Sequence, residues 1–440
     1  MREYREYKDS QIPWIGKIPT HWNIEPFGRH FSYGKGLPIT KANLTNEGIA
    51  VISYGQIHSK LNTGTKISKE LIRYVPPTYI ESNPQSILNI NDFIFADTSE
   101  DLNGSGNCAF NDFNSYIFAG YHTLIARPIR IDNPKYYAYL FQSQNWKNQI
   151  RSLVNGVKVY SINRTILKKT TLLFPPLVEQ QHIVSFLDEK TAKIDEYIDK
   201  KNKEIEALKE WKKALIAHVV TKGLNTNAKM KKFKSLLSDE TPSHWKIVRN
   251  KNIFESHYEA VSSRKNIPLL SLTTEGVILR DISTGKGKFP KDFEMYNVVY
   301  PNNIIFCLFD LDETPRTVGL CYNYGMITDA YTIFKIKNTV LPEYITNYYL
   351  AVDNIKALRP YYSGLRKVVQ SNRFNSIQIP LPPIEEQQEI VEYIDAATTK
   401  ADKMIVELTN HVESMKEYKQ RLIADVVTGK INVQPCNTCL

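Results

Sequence analysis

A stretch of 51 residues occurs twice in this chain. Residues 175–225 and 382–432 align without a gap at a constant offset of 207, and 23 of the 51 pairs are identical. Both copies open on Pro-Pro and Glu-Gln-Gln, as "PPLVEQQHIV" and "PPIEEQQEIV", and close on "LIAHVVTKGLN" and "LIADVVTGKIN". A fainter echo precedes each copy. Pro19, His21, Trp22 and Phe31 return as Pro242, His244, Trp245 and Phe254 at an offset of 223. The stretches between echo and repeat have diverged. The chain therefore reads variable (1–174), constant (175–224), variable (225–381), constant (382–432), with a flexible tail expected at 433–440. Tandem duplication followed by divergence of the middle parts alone gives this pattern, and it suggests two domains doing one job on different targets.

The constant segments read as helices. In the first, Leu187, Thr191, Ile194, Ile198, Lys201, Ile205, Leu208, Lys212, Leu215 and Val219 step by four and three. The second repeats the line as Ile394, Thr398, Ala401, Ile405, Leu408, Val412, Met415, Lys419, Leu422 and Val426. An apolar line at that spacing with charge elsewhere is a coiled-coil seam. Pro-Pro blocks helix upstream, and Gly223 and Gly429 stand where a C-terminal stop belongs. A helix of about 33 residues is about 50 Å long, too long for a small domain to bury its stripe. Pairing of the two helices is expected; packing of each on its own domain is the alternative.

In the variable parts, β-branched and aromatic runs such as "GIAVISYGQI", "NNIIFCLFDL" and "DAYTIFKIK" alternate with Gly, Asn and Pro, as strands and loops do. Residues 134–152 and 342–358 read as short helices. The expected class is α+β: two pseudo-twofold-related α+β domains separated by two long helices that pair as an antiparallel coiled coil.

The net charge is +10, which points to a polyanionic partner. Residues 175–224 are neutral and 382–431 carry −4, so the remainder holds +14. DNA is thus expected at the variable domains and protein partners at the helices. The polar start and the absence of a long apolar run predict a cytoplasmic protein. Five cysteines do not suggest a disulfide framework, and Cys436-x-x-Cys439 lacks the further ligands of a zinc site. No phosphate-binding Lys loop, dinucleotide fingerprint, Asn-Pro-Pro-aromatic motif or His-Glu-x-x-His occurs. No catalytic residue, metal ligand or cofactor of the chain's own is therefore assigned. Gly104 and Gly106 in "NGSGN" read as a flexible loop, His21 and His244 as core residues, and "KMKKFK" at Lys229 as a solvated linker.

Two variable domains, each followed by Pro-Pro, Glu-Gln-Gln and a long helix, with "WIGKIPTHW" from Trp14, resemble the specificity subunit of type I restriction–modification systems. The resemblance covers almost the whole chain. It implies that each variable region is a target-recognition domain reading one half of a bipartite, asymmetric DNA sequence, with the helices setting the gap. It implies two modification subunits docked on the helices, transferring methyl groups from S-adenosylmethionine to adenine N6. Two restriction subunits would add translocation and cleavage driven by ATP with Mg. The specificity subunit itself would bind none of these cofactors and would be non-catalytic.

Base readout draws on Arg, Lys, Asn, Gln and carboxylates, and phosphate contact on Lys, Arg, Ser, Thr and Tyr. Matching stretches precede the two repeats. "NGVKVYSINR" offers Lys158, Tyr160, Asn163 and Arg164, and "SGLRKVVQSNR" offers Arg366, Lys367, Gln370 and Arg373. Further candidates are Tyr54, Gln56, His58 and Lys60 in "YGQIHSK", then Thr98 and Ser99, and Thr314, Arg316 and Thr317 in the corresponding part of the second half. Partner and coiled-coil roles are expected for Glu179, Gln180, Gln181, Glu386, Gln387 and Gln388 and for the apolar seam residues named above. A coiled-coil adaptor without DNA specificity and a stand-alone DNA methyltransferase are the alternative readings.

Overall fold

Every residue of the strand Phe93–Ala96 is buried, and its side chains divide by parity. Phe93 and Phe95 enter one core with Phe31, Phe141 and Trp146, whereas Ile94 and Ala96 enter another with Ile52 and Ile125. Successive strand residues face opposite ways, so a run apolar throughout marks a sheet covered on both faces. Ile304–Phe306 divides the same way: Ile304 and Phe306 join one core, Ile305 another.

The computed structural model describes residues 2–156, 159–261, 267–280, 295–337 and 339–435. Lys158, Cys436 and Cys439 lie outside them. The chain divides into two compact units, Met1–Lys201 with Asn410–Leu440, and Asn202–Thr409.

In the first unit a four-stranded antiparallel sheet runs in the order Phe31–Lys35, Thr123–Pro128, Phe93–Ala96, Cys108–Phe110. The helices Pro134–Gln142 and Gln144–Arg151 supply the aromatic layer over one face, with Phe93 and Phe141 centroids 5.0 Å apart and Phe141 and Trp146 4.3 Å apart. The second unit repeats this order as Phe254–His257, Thr332–Ile336, Ile304–Phe306, Val318–Leu320. There the helix Pro342–Asn354 packs Tyr349 against Phe306 at 5.1 Å.

The helices of the repeats span Leu177–Lys222 and Ile384–Val427, 46 and 44 residues, longer than the 33 expected. The extra turns begin directly after Pro-Pro. The Gln180 amide donates back to the Pro175 carbonyl at 2.9 Å, and Gln387 does the same to Pro382 at 2.9 Å, closing the first turn from its own side chain. Gly223 and Gly429 end the helices with φ of +73° and +74°, a conformation open to glycine.

Helix pairing is visible inside each unit. In the first, Ile183, Leu187 and Ile194 of one helix share a core with Leu422, Ile423, Val426 and Val427 of the other. In the second, Val219 and Val220 share a core with Ile390, Val391 and Ile394. The start of each helix thus lies along the end of its partner, which makes the pairing antiparallel. Seam residues Ile205, Ala401 and Val412 are buried, and Ile198, Leu208, Leu215, Ile405, Leu408 and Met415 are half-buried.

Two local expectations are corrected. The Lys-rich run is not a bare linker: Met230–Lys232 pairs antiparallel with Glu240–Pro242, repeating the hairpin of Tyr7–Asp9 and Lys17–Pro19. "NGSGN" is packed down: Ser105 is fully buried, and the Gly104 amide donates to the Asp101 carboxylate at 2.7 Å.

Candidate nucleic-acid interface

In each unit the third and fourth strands of the sheet are joined by an eleven-residue loop, 97–107 in the first and 307–317 in the second. Each loop is fastened to the segment just before the repeat. In the first unit Thr98–Ser99 pairs antiparallel with Tyr160–Ser161, and the Ile162 amide donates to the Asp97 carbonyl at 2.8 Å. In the second the Asp310 amide donates to the Arg366 carbonyl at 2.8 Å and the Val369 amide to the Leu308 carbonyl at 2.9 Å. Candidates far apart in sequence are therefore neighbours within each unit. Thr98 and Ser99 lie at the start of their loop, and Thr314, Arg316 and Thr317 at the end of the equivalent one, so the two sets do not share one place in the frame as the sequence suggests.

The first loop also touches the short helix Tyr54–Ile57, whose Gln56 side-chain Oε1 accepts from the Ser53 amide at 3.1 Å. Asn107 Nδ2 donates to His58 Nδ1 at 3.2 Å, which leaves the proton on Nε2 to be donated to the Thr98 carbonyl at 2.8 Å. Lys147 Nζ in turn donates to Asn107 Oδ1 at 2.8 Å. Burial pushes the Lys147 amine down to about 8. Between helix and loop lies a cleft of about 440 Å³ lined by Tyr54, His58, Ser99, Glu100, Asp101 and Asn103 among others. The Thr98 hydroxyl donates to Asp97 at 2.8 Å, and buried Ser99 donates to the Asp101 carbonyl at 2.7 Å. Lys60 and Arg164 are exposed and Tyr160 is half-buried. Asn163 caps the helix Arg164–Lys169, accepting from the Ile166 amide at 3.0 Å.

In the second unit the loop is acidic and its neighbours are basic. Arg366 pairs with Asp310 at 2.9 Å, and its guanidinium lies 4.9 Å from the centre of the Phe309 ring. Lys367 pairs with Asp312 at 3.1 Å and Glu313 at 2.7 Å, and Arg359 pairs with Asp312 at 3.1 Å. Asp310 and Lys367 both hold positive φ, at +46° and +47°, strained for residues with a Cβ. Arg373 donates to the Tyr361 and Tyr362 carbonyls at 3.3 and 3.0 Å. Exposed Gln370 precedes the helix Ser371–Ser376. The Thr314 hydroxyl donates to the Asp310 carbonyl at 2.8 Å, and the buried Thr317 donates its amide to the Asp353 carboxylate at 2.9 Å. Arg359, Tyr362 and the three loop carboxylates escaped sequence reasoning, although "DLDETPR" prints the acids beside the candidate arginine.

The repeated motif residues hold the helix starts. Glu179 is buried and accepts from Trp22 Nε1 at 2.8 Å and the Tyr4 hydroxyl at 3.3 Å, and lies 2.6 Å from His21 Nε2. Glu386 meets His244 Nε2 at 2.8 Å. His21 and His244 are thus half-exposed tethers rather than core residues, with side chains 44% and 50% exposed. A histidine beside a core tryptophan reads as core; its partner, 158 or 142 positions away, is invisible to local pattern. Gln181 and Gln388 are exposed.

No group of three or more potential metal ligands and no helix long and apolar enough to cross a membrane occurs among the described residues.

The family model for the type I restriction modification DNA specificity domain matches residues 31–207 and 314–414. A chain of Methanocaldococcus jannaschii, provisionally named the MjaX specificity subunit of a type I restriction enzyme, is 26% identical over 435 residues, 96% of each chain. The EcoKI specificity subunit of Escherichia coli is 20% identical over 443 residues, 95% of this chain and 91% of that one. Among solved structures, a chain from work on complex assembly and conformational transition of the type I R-M system superposes with a TM-score of 0.67 at 15% identity, covering 94% of this chain and 99% of that one. The HsdS subunit from Thermoanaerobacter tengcongensis superposes with a TM-score of 0.50 at 15% identity, covering 94% and 98%. At these identities the superpositions speak for the fold.

Proposed function

Because the chain belongs to the type I restriction–modification DNA specificity family, its model matching residues 31–207 and 314–414, we propose a residue-level account of how such a subunit divides its work. The protein is a non-catalytic specificity subunit that acts in a complex with other subunits and DNA. Each unit reads one half of a bipartite, asymmetric target, and the two long helices set the gap between the halves.

The observation that carries this reading is the repeated sheet order, with an eleven-residue loop at the same place in both units and different residues on it. A shared frame with unlike loops is what two readers of different half-sites require. Tyr54, Gln56, His58, Lys60, Thr98, Ser99, Lys158, Tyr160, Asn163 and Arg164 are the proposed DNA-facing set of the first unit. Thr314, Arg316, Thr317, Arg366, Lys367, Gln370 and Arg373 are that of the second. Two modification subunits dock on the helices and two restriction subunits complete the assembly. S-adenosylmethionine, ATP and Mg belong to those partners, and the assembly works in the cytoplasm.

Co-expression with the modification subunit, followed by sequencing for methylated adenine, tests the reading. A split motif with a constant gap is expected, and deletion of a whole heptad from both helices shortens the gap. A continuous motif, or a gap indifferent to helix length, refutes the division of labour.

A further inference from the structure

The loop 307–317 and its surroundings hold a small charge inventory that nearly closes on itself. Asp310, Asp312 and Glu313 face Arg359, Arg366 and Lys367, and every one of these six has an opposite charge within 3.1 Å. Asp353 is engaged as well, by Lys356 Nζ at 2.7 Å on one oxygen and by the Thr317 amide at 2.9 Å on the other. Arg316 stands outside this accounting. Among the described residues its guanidinium makes no hydrogen bond or ion pair, although the side chain is half-buried.

A guanidinium carries five donors in a rigid fork; those of Arg316 find no acceptor among the described residues, yet none of its nitrogens is sealed from solvent, so they stay open to a ligand. Burial holds the Arg316 pKa below its ordinary value, with Asp353 pulling the other way. The loop that carries the arginine is fastened on both sides of it. Lys356 Nζ donates to the Thr314 carbonyl at 2.8 Å, and the Cys307 amide donates to the Thr317 carbonyl at 2.8 Å. The backbone on either side of Arg316 is therefore fixed, while its donors stay unpaired.

We infer that Arg316 is the specificity-determining residue of the second unit, its guanidinium reading the O6 and N7 edge of a guanine in the half-site that this unit takes. The inference rests on the DNA-specificity reading above and assigns a role within it. Arginine paired bidentately to guanine is the commonest direct contact in the major groove, and its geometry asks for a fork whose donors are free. Arg366 and Lys367 are poorer readers because each is already paired with loop carboxylates, which a base edge would have to displace. What attraction they keep for phosphate carries no sequence information.

The first unit supports the assignment by contrast. Its loop has the same length, and the residue in the place of Arg316 is Gly106, with a φ of +92°. A Cβ there would lie 3.2 Å from Ile150 and 3.4 Å from Lys147, so the position is packed inward and has no side chain to offer a base. The two units therefore meet their half-sites with different chemistry at one position of a common frame.

The test compares the parent with Arg316→Ala and Arg316→Lys, each assembled with the modification subunit. Methylated motifs are sequenced, and binding is measured on the cognate duplex and on a duplex with 7-deazaguanine at each guanine in turn. Both variants are expected to become degenerate at one guanine of one half-site, with the other half-site unchanged. Cognate affinity should fall roughly 5- to 150-fold, the range of one bidentate base contact. In the parent, 7-deazaguanine at that position should weaken binding, and in the variants it should have no effect. Full retention of the motif in Arg316→Ala, with affinity within twofold of the parent, overturns the assignment, and a motif retained with affinity lost uniformly across sequences identifies a phosphate contact instead. Equal degradation of both half-sites overturns it too, as a sign of general damage. A parent complex with no split motif refutes the specificity reading itself, a result distinct from a parent motif that survives in the variants.

Discussion

The Lys419 ammonium lies 2.7 Å from the Asp195 carboxylate, and 207 positions back along the chain Lys212 makes the same pair with Asp402. The repeat in sequence thus becomes a reciprocity in space: each helix lends a seam lysine to a carboxylate on the other. Both lysines are largely covered, and both carboxylates are more than half exposed. Exposed ion pairs contribute about 0–1 kcal/mol, so these pairs fix register more than they add stability. Lys419→Ala and Asp195→Ala should each destabilise the first unit by under about 1 kcal/mol, with a coupling near 0.5 kcal/mol in a double-mutant cycle that shrinks at 1 M salt. A coupling above 2 kcal/mol that ignores salt would mean the pair acts as a buried one.

Glu179 and Glu386 occupy the same place in the two repeats and should respond differently. Glu179 is buried and accepts from Trp22, Tyr4 and His21. Glu386 is half-buried and accepts from His244, while Trp245 Nε1 has no partner among the described residues. Loss of Glu179 strands two buried donors, at about 1–3 kcal/mol each. Urea unfolding should show Glu179→Ala destabilised by about 3 kcal/mol and Glu386→Ala by about 1 kcal/mol. Equal losses would mean that the two anchors work alike despite their different donors.

The parts of this architecture legible in the sequence are those with a local period. The seam from Leu187 to Val219 repeats every three to four residues, and Gly223 closes it with a conformation few other residues accept. The pairing partner was legible because the same seam occurs twice. The sheet order was not. Strand pairs such as Ile304 with Phe334 or Ile94 with Ile125 join residues that no spacing rule connects, and the strand sequences have diverged between the units. The same reason hid the neighbourhood of the candidate site. "SGLRK" and "DLDETPR" lie far apart in the sequence, and only the fold reveals that their charges meet.

Lys147 gives the first unit a pH signature. Its folded pKa of about 8 lies below the 10.5 of an exposed lysine, because burial disfavours the charged form. Between those values the unfolded chain holds more protons than the folded one, so stability rises with pH. The rise is absent in Lys147→Met, which has nothing to titrate there. Chemical denaturation from pH 7.5 to 10 should show the parent gaining on the variant by up to about 3 kcal/mol. A constant difference across that range would place the Lys147 ammonium in contact with water.

Three glycines with nearly equal backbone angles separate conformation from crowding. Gly16, Gly223 and Gly429 have φ of +73°, +73° and +74°. A Cβ at Gly16 would meet nothing within 4 Å. At Gly223 it would come 2.9 Å from Glu386 Oε1, the far end of a side chain that can turn away, and 3.2 Å from the Trp245 ring. At Gly429 it would come 2.4 Å from Pro19 Cδ and 3.1 Å from Trp22, a ring and an indole fixed in the core. Left-handed backbone costs a residue with a Cβ about 1–2 kcal/mol in all three places. Gly16→Ala should therefore lose about 1 kcal/mol, Gly223→Ala somewhat more, and Gly429→Ala the most, by a further 1–3 kcal/mol of overpacking. Thermal melts of the three variants read the order directly. Equal losses would show that the helix end at Gly429 moves off Pro19 and Trp22 freely, and would remove the echo at Pro19 and Trp22 as the seat of that helix end.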